Sequence, residues 1–366
     1  MEEPRSWRPS GDIASGALPP PRWYSDPVLY ERALERVFAP SWQWLGDEHL
    51  AARDGDAVPL TLLAGALDEP LVLTNEGGER RLLSNVCTHR AMAVVTEPCT
   101  ARGLRCPYHG RRFGLDGRFV SSPGFEGAEG FPTADDDLPR AGLGTFAGQL
   151  FGSIAPERPF DDVIAPLRAR LGHLPFERAV HDPTRDREFE FDAPWSAYVE
   201  NYLDGLHIPY LHAGLNAAID WSRYRYELFE GGAWQVAEAR AGDASLPVPA
   251  GHPDAGRPIA AWYAMLFPNL MVNVYPWGVS FNLVRPLGPT RTTVRFASYV
   301  FAPEHLGAGA GGDLDRVELE DEAAVVRVAQ GQRARLARQG RYAPRHEHAL
   351  RHFHVWTTDR VAERSV

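Results

Sequence analysis

The segment CTHRAMAVVTEPCTARGLRCPYHG (87–110) holds all three cysteines of this 366-residue chain, with a histidine close after the first cysteine and another close after the last. Three is an odd number, so at least one thiol has no disulfide partner. The N-terminus, MEEPRSWRPSGDIASG, starts acidic and lacks the apolar core of a secretory signal, which predicts a cytoplasmic protein. Because cytoplasmic thiols stay reduced, we expect this segment to be a metal site rather than a disulfide.

The spacing of the four ligand-type residues limits which kind of metal site they can form. Cys87 and His89 form C-x-H, and sixteen residues later Cys106 and His109 form C-x2-H. A zinc finger usually takes two cysteines from one loop and two histidines from a helix. One thiolate and one imidazole from each loop is instead typical of a [2Fe–2S] cluster with two cysteines on one iron and two histidines on the other, and zinc is the alternative. Cys99 lies outside the pattern and is expected to be a small buried or half-buried thiol.

Composition limits the partners of the chain. Hydrophobic residues make up 44% and charged residues 23%, which indicates a folded protein. The net charge of −10 argues against nucleic acid and anionic membrane as partners, because both attract basic surfaces. The sequence has no apolar run of about 18 residues, so no membrane span is expected.

The pattern of the chain predicts three parts. Residues 1–39 are expected to form an extended arm followed by a helix that Asp26 caps. Residues 40–155 contain short apolar runs separated by glycine, aspartate and proline, which predict a small β domain. Residues 156–366 contain longer helical and strand patterns.

Within the third part, several elements are predicted individually. They are a helix over 195–207 that stops near Pro209, a long loop at 241–258 that is functional or mobile, a hairpin of 278–287 with 291–302, and a helix over 313–340 that ends at Gly340.

A second group of chemistry-bearing residues lies in VENYLDGLHIPYLH (199–212). His207 and His212 would diverge on a continuous helix, but a break at Pro209 can turn both towards one point. Asp204 precedes His207 by three residues and lies on the same helical face. Two histidines and one carboxylate form the facial triad of non-haem Fe(II) oxygenases. The alternative is a pair of ordinary histidines at a helix end.

Together the two motifs resemble those of the α subunits of Rieske-type non-haem iron oxygenases, the aromatic-ring-hydroxylating oxygenase family. C-x-H-x16-C-x2-H resembles the cluster motif of that family, and Glu200-x3-Asp204-x2-His207-x4-His212 resembles its iron motif, [D/E]-x3-D-x2-H-x4-H. The resemblance extends from about Tyr24 to the HFH at 352–354.

The resemblance implies two cofactors, a Rieske [2Fe–2S] cluster and a mononuclear Fe(II), and revises the ligand set. Asp204 would link a cluster histidine of a neighbouring subunit to an iron-ligand histidine rather than bind iron. The third ligand would be a later carboxylate on a long helix. We expect Glu322, which precedes an apolar stripe, with Asp321 as runner-up and Asp359 as a weaker candidate. Glu318 and Glu320 are expected on a solvated face.

The resemblance also implies fold, activity and partners. The fold would be α+β, with a small all-β Rieske domain and a catalytic domain whose antiparallel sheet is packed by helices, as in helix-grip (START-like) proteins. A homotrimer would use O₂ and electrons from an NAD(P)H-dependent reductase or a ferredoxin to hydroxylate or oxidatively demethylate a small organic substrate, aromatic or not. The alternatives are a Rieske-type electron-transfer protein and a catalytically degenerate binding protein. Several apolar strand residues could line the pocket or belong to the core, namely Trp262, Tyr263, Met265, Phe267, Val274 and Phe281.

Overall fold

The computed structural model describes residues 4–362, and this part of the chain divides into two compact units. One unit comprises residues 38–162, and the other comprises the rest of the described chain. None of the described helices has the length and apolar character needed to cross a membrane.

The first unit is built from short antiparallel strands. Its strands are Gln43–Asp47 (β1), Asp56–Leu62 (β2), Glu69–Glu76 (β3), Glu79–Ser84 (β4), Cys99–Thr100 (β5), Leu104–Arg105 (β6), Arg112–Phe113 (β7), Phe119–Ser121 (β8), Arg140–Phe146 (β9) and Gln149–Ser153 (β10). Seven of them form one sheet in the order β1-β10-β9-β4-β3-β2-β5, and β6-β7-β8 form a second. The tight β3–β4 turn uses Gly77 and Gly78 at φ 61° and 88°, a conformation that glycine adopts without strain.

The two sheets of this unit enclose the cysteines of the first motif. Cys87 and Cys106 belong to a cluster of buried residues that also includes Leu83 on β4 and Phe113 on β7. The cluster loops are therefore anchored in a core and are not free surface loops.

The second unit contains one large antiparallel sheet and most of the helices. Its strands are Val180–His181 (β11), Arg187–Phe191 (β12), Arg225–Phe229 (β13), Gly232–Glu238 (β14), Ile259–Leu266 (β15), Leu270–Tyr275 (β16), Gly278–Gly288 (β17) and Arg291–Val300 (β18). Their order is β11-β18-β17-β16-β15-β14-β13, with β12 also paired to β18. The predicted hairpin of 278–287 with 291–302 is confirmed as the β17–β18 pair.

The longer helices are Pro27–Ala33 (α1), Phe160–Leu171 (α2), Trp195–Leu203 (α3), Ile208–Leu211 (α4), Ala213–Ala218 (α5), Leu314–Gln332 (α6) and His348–Val361 (α7). The predicted cap of the first helix is confirmed, since the Asp26 carboxylate accepts hydrogen bonds from the amides of Val28 and Leu29. Helix α7 is joined to α3 by buried His354, whose Nε2 lies 2.7 Å from Glu200 Oε1.

Two predicted helix ends were wrong. The break in the iron motif lies at Asp204, with φ −106° and ψ 98°, and Pro209 instead sits in the first turn of α4, where a proline fits. Helix α6 ends at Gln332 rather than near Gly340. Gly331 in its last turn weakens the helix, and the turns that follow bond Ala334 N to the Gly331 carbonyl and Ala337 N to the Ala334 carbonyl.

The long loop at 241–258 is attached to the sheet by a buried carboxylate. Asp254, only 1% exposed, accepts hydrogen bonds from Trp262 Nε1 at 2.9 Å and from Arg225 Nη2 at 2.7 Å. Its Oδ2 also lies 3.3 Å from Arg170 Nε on α2. The loop is therefore fixed near its C-terminal end.

Replacement of this carboxylate should destabilise the second unit. Because Asp254→Ala removes the buried carboxylate shared by Arg170 and Arg225 and leaves Arg170 only the half-exposed Glu227, we expect the free energy of unfolding to fall by about 3–5 kcal/mol. Asp243→Ala, at an exposed position of the same loop, should change it by less than about 0.5 kcal/mol. Urea unfolding of the two variants measures the difference, and equal small losses would contradict the anchoring role.

Candidate functional site

The two loops of the first motif have the same backbone architecture. In each loop the cysteine amide donates to the carbonyl five residues on, and the amide four residues on donates to the cysteine carbonyl, with N···O distances of 2.8–3.1 Å. The residue at that fourth position has a left-handed backbone, Ala91 at φ 54° and Gly110 at φ 74°. Two equivalent loops thus present one cysteine and one histidine each.

The cysteine and histidine side chains of these loops differ in burial. Cys87 and Cys106 are buried and close enough for their thiols to hydrogen-bond. The His89 and His109 rings lie 4.8 Å apart, and His109 is exposed. Thiols on the inside and imidazoles towards the surface match a two-iron cluster with a different ligand pair on each iron.

The protonation chemistry of the set also fits a metal cluster. His89 Nδ1 is buried and has no hydrogen-bond partner. Burial, followed by the charges of His109 and Arg111, lowers the pKa of His89, which favours the neutral imidazole that can bind a metal. Cys99 does not take part. It is exposed on β5, contrary to the buried or half-buried position expected for it.

The second motif brings three ligand-type atoms together. His207 Nε2 lies 3.1 Å from His212 Nε2, and Asp321 Oδ1 lies 3.0 Å from His212 Nε2 and 3.5 Å from His207 Nε2. Among the described residues this is the group of three that could hold one ion. Two imidazoles and a carboxylate are the donor set of a facial triad.

The carboxylate in this group is Asp321, the runner-up, and not Glu322, the residue expected there. Neighbouring residues on an α-helix point about 100° apart, so only one of the two can face the histidines. Glu322 Oε1 is buried without a partner, and burial together with the charge of Asp321 raises the pKa of Glu322 to about 7. Asp359 is exposed on α7 and lies outside the group.

Further side chains hold these three in place. Glu320 Oε2 lies 2.9 Å from His212 Nδ1, and Arg316 Nε donates to Glu320 Oε1 at 3.0 Å. Asn201 Nδ2 donates to Asp321 Oδ1 at 2.6 Å. Glu320 was expected on a solvated face and instead orients a ring, a role that only the folding of α6 against α4 reveals.

Asp204 lies at the edge of this group. Its Oδ2 is 3.7 Å from His207 Nδ1, and its Oδ1 accepts a hydrogen bond from the amide of Leu206 at 2.7 Å. Its side chain remains 23% exposed. It is thus near a ligand-type histidine and reachable from outside.

A cavity that opens to solvent is lined by His207, His212 and Asp321. One wall comes from a row across three strands, in which Gln235 on β14 pairs with Tyr263 on β15 and Tyr263 pairs with Asn273 on β16. Side chains alternate between the two faces of a strand. Of the six candidate pocket residues only Tyr263 lines the cavity, and the others are buried in the core: Trp262, Met265, Phe267, Val274 and Phe281.

The cavity is rich in tyrosine and contains a further carboxylate. The lining tyrosines are Tyr202, Tyr224, Tyr263 and Tyr275. Glu318, one turn before Asp321 on α6, also lines the cavity and accepts a 2.6 Å hydrogen bond from Tyr198. Burial and the charge of Asp321 raise the pKa of Glu318 to about 8. This position contradicts the solvated face expected for Glu318.

Two family models match the chain. The model of the Rieske [2Fe–2S] domain matches residues 48–132, and that of the ring-hydroxylating α subunit (catalytic domain) matches residues 176–363, which is more than half of the sequence. The chain belongs to the ring-hydroxylating α-subunit family. It is therefore an oxygenase that carries a [2Fe–2S] cluster and a mononuclear non-haem Fe(II). The Rieske match goes against zinc at the first motif, and the catalytic-domain match goes against an electron-transfer protein alone.

Relatives with assigned activities cover most of the chain. Chloroplastic choline monooxygenase of Arabidopsis thaliana is 29% identical over 94% of this chain and 83% of its own length. Putrescine 2-hydroxylase of Ralstonia nicotianae is 29% identical over 91% of this chain and 92% of its own. The oxygenase subunit of carnitine monooxygenase from Escherichia coli K12 is 27% identical over 70% of this chain and 67% of its own length.

Solved structures confirm the fold. The quaternary ammonium Rieske monooxygenase CntA, in complex with an inhibitor, has a TM-score of 0.72 at 20% identity and covers 97% of this chain and 96% of its own. Naphthalene 1,2-dioxygenase from Rhodococcus sp. has a TM-score of 0.69 at 19% identity and covers 94% and 95%. As in the rest of the family, an oxygenase of this kind acts on a small substrate with O₂ and with electrons from a reductase or ferredoxin.

Substitution of each carboxylate in turn tests whether Asp321 or Glu322 binds the mononuclear iron. Asp321→Asn replaces a charged oxygen beside both histidines, so purified protein should lose most of its mononuclear iron, by about 10-fold or more, while the sulfide content stays unchanged. Glu322→Gln should keep iron near the wild-type level. Iron and acid-labile sulfide assays measure both, and the reverse pattern would restore Glu322 as the ligand.

Proposed function

We propose that this oxygenase is a monooxygenase of a small organic cation, such as a quaternary ammonium compound. The observation that carries the proposal is the cavity beside His207, His212 and Asp321, in which tyrosine rings and the carboxyl group of Glu318 surround the space open to a substrate. The relatives named for choline, carnitine and putrescine support the same class, because each of these molecules carries a positively charged nitrogen at neutral pH.

The physical case rests on two attractions for a cation. The faces of tyrosine rings attract ammonium groups, by about 0.5–2 kcal/mol each when solvent is excluded. Glu318 pays a desolvation cost for its negative charge, so a cationic partner stabilises the ionised form. A substrate that carries only negative charge would instead favour the protonated form of Glu318.

The ligand-type residues fall into two groups, one for each metal centre. We propose that Cys87, His89, Cys106 and His109 hold the [2Fe–2S] cluster. His207, His212 and Asp321 would hold Fe(II). When bound, the cluster supplies single electrons and the iron activates O₂, with coordination positions left for O₂ and substrate.

The other residues of the site would orient the metal ligands and bind the substrate. Glu320 keeps the His212 ring in one orientation through Nδ1, and Asn201 fixes the Asp321 carboxylate through Oδ1. Glu318 and the tyrosines would turn the charged nitrogen of the substrate towards one wall, which selects the carbon presented to the iron site. Hydroxylation next to nitrogen gives a carbinolamine, and its collapse would account for demethylation.

We further propose a homotrimer in which electrons cross between subunits. The resemblance assigns Asp204 to the link between a cluster histidine of a neighbouring subunit and an iron-ligand histidine, for which we propose His207. The partial exposure of Asp204 and its 3.7 Å distance from His207 Nδ1 support this role. Residues 40–155 and 156–366 would then act as electron-entry and catalytic domains.

Glu318 provides the test of the substrate class. With a coupled reductase, wild-type protein should consume O₂ in the presence of choline-like cations and much less with a neutral isostere in which carbon replaces nitrogen. Glu318→Gln should raise KM for the cation by about 10-fold, equal to about 1.4 kcal/mol, and leave KM for the isostere unchanged. Glu322→Gln, on the same helix but outside the cavity lining, is the matched control. Equal use of cation and isostere by the wild type would contradict the proposal.

Asp204 provides the test of the electron route. Asp204→Asn should retain both metal centres, yet oxidation of the reduced cluster by O₂ and substrate should slow by 100-fold or more, because the carboxylate link is lost. Stopped-flow absorbance of the cluster measures this rate. Asp192→Asn, at an exposed position just before α3, serves as control. Full iron content with unimpaired turnover in Asp204→Asn would refute the role.

A further inference from the structure

We propose that Arg111 is a positioning residue for the [2Fe–2S] cluster, a buried fixed cation that ties the two cluster loops together and raises the reduction potential. Arg111 lies outside the ligand motif, directly after Gly110. Its side chain is among the largest fully buried ones in the described chain, and the residue as a whole is 1% exposed. A buried guanidinium is costly, so its position needs a compensating role.

Arg111 contacts both cluster loops. Its backbone carbonyl accepts a 2.8 Å hydrogen bond from the amide of Cys106 in the second loop. Its Nη1 donates at 2.8 Å to the hydroxyl of Thr88, which stands between Cys87 and His89 in the first loop. One residue therefore sets the spacing between the loops that carry the four ligands.

Three aromatic rings hold the guanidinium in place. Arg111 Cζ lies 5.2, 4.9 and 5.3 Å from the ring centroids of Phe119, Phe125 and Phe131. The Phe125 ring also meets the His89 ring edge-on at 5.1 Å. The guanidinium and the His89 imidazole thus contact the same ring, in apolar surroundings where the field of the cation is weakly screened.

The field of Arg111 is only partly cancelled by its counter-ion. Asp136 Oδ1 accepts from Nη1 at 3.1 Å, but its side chain is 18% exposed against 2% for Arg111, so solvent screens the negative charge more. Reduction adds one electron to the cluster, and a nearby positive charge stabilises that state.

The experiment is a potentiometric titration of the full-length, cluster-loaded protein, followed by the electron paramagnetic resonance of the reduced cluster. Arg111→Gln should lower the equilibrium constant for reduction by about tenfold, which corresponds to 59 mV for one electron. Arg111→Lys keeps the charge and should lie closer to the wild type. Arg112→Gln removes the same charge from the exposed next residue and should shift the potential much less.

The outcomes decide the proposal. An unchanged potential in Arg111→Gln with full cluster content would overturn it, as would an equal shift in Arg112→Gln, since net charge alone would then explain the effect. If Arg111→Gln does not retain its cluster, Asp136→Asn decides. Loss of the counter-charge should raise the potential, and an unchanged or lower value would overturn the proposal.

Discussion

A single carboxylate oxygen, Asp321 Oδ1, joins segments of the catalytic unit that are far apart in sequence. It accepts a hydrogen bond from Asn201 on α3 at 2.6 Å and lies 3.0 Å from His212 Nε2 at the end of α4. The same atom lies 3.5 Å from His207 Nε2. This contact exists only because the chain leaves the helix at Asp204 and because α6 runs beside α3.

The electrostatics of the site follow from that convergence. Burial, followed by the charge of Asp321, raises the pKa of Glu318 and of Glu322. A bound dication would neutralise Asp321, and a cationic substrate would neutralise Glu318. Strand alternation on β15 and β16 places Tyr263 and Tyr275 on the cavity wall beside these charges. The metal ion and the substrate would thus compensate two different negative charges on α6, those of Asp321 and Glu318.

The sequence predicts the fold class, the family and both cofactors, because ligand chemistry dictates the spacing of the two motifs. The family models and solved structures confirm all of these predictions. It predicts His207 and His212 as a pair, which the structure brings together. It does not distinguish Asp321 from Glu322, since that choice depends on the rotation of α6 about its own axis. Arg111 is missed for a related reason. Its burial depends on three phenylalanines whose convergence follows from turns, with no periodic pattern to reveal it.

The most direct measurement is anomalous diffraction at the iron edge from crystals of natively loaded protein. The account predicts a pair of iron sites between the Cys87/Cys106 thiols and the His89/His109 rings, and a third iron bound by His207, His212 and Asp321. A single zinc ion at the cysteines, or an iron bound by Glu322 with Asp321 turned away, would contradict it.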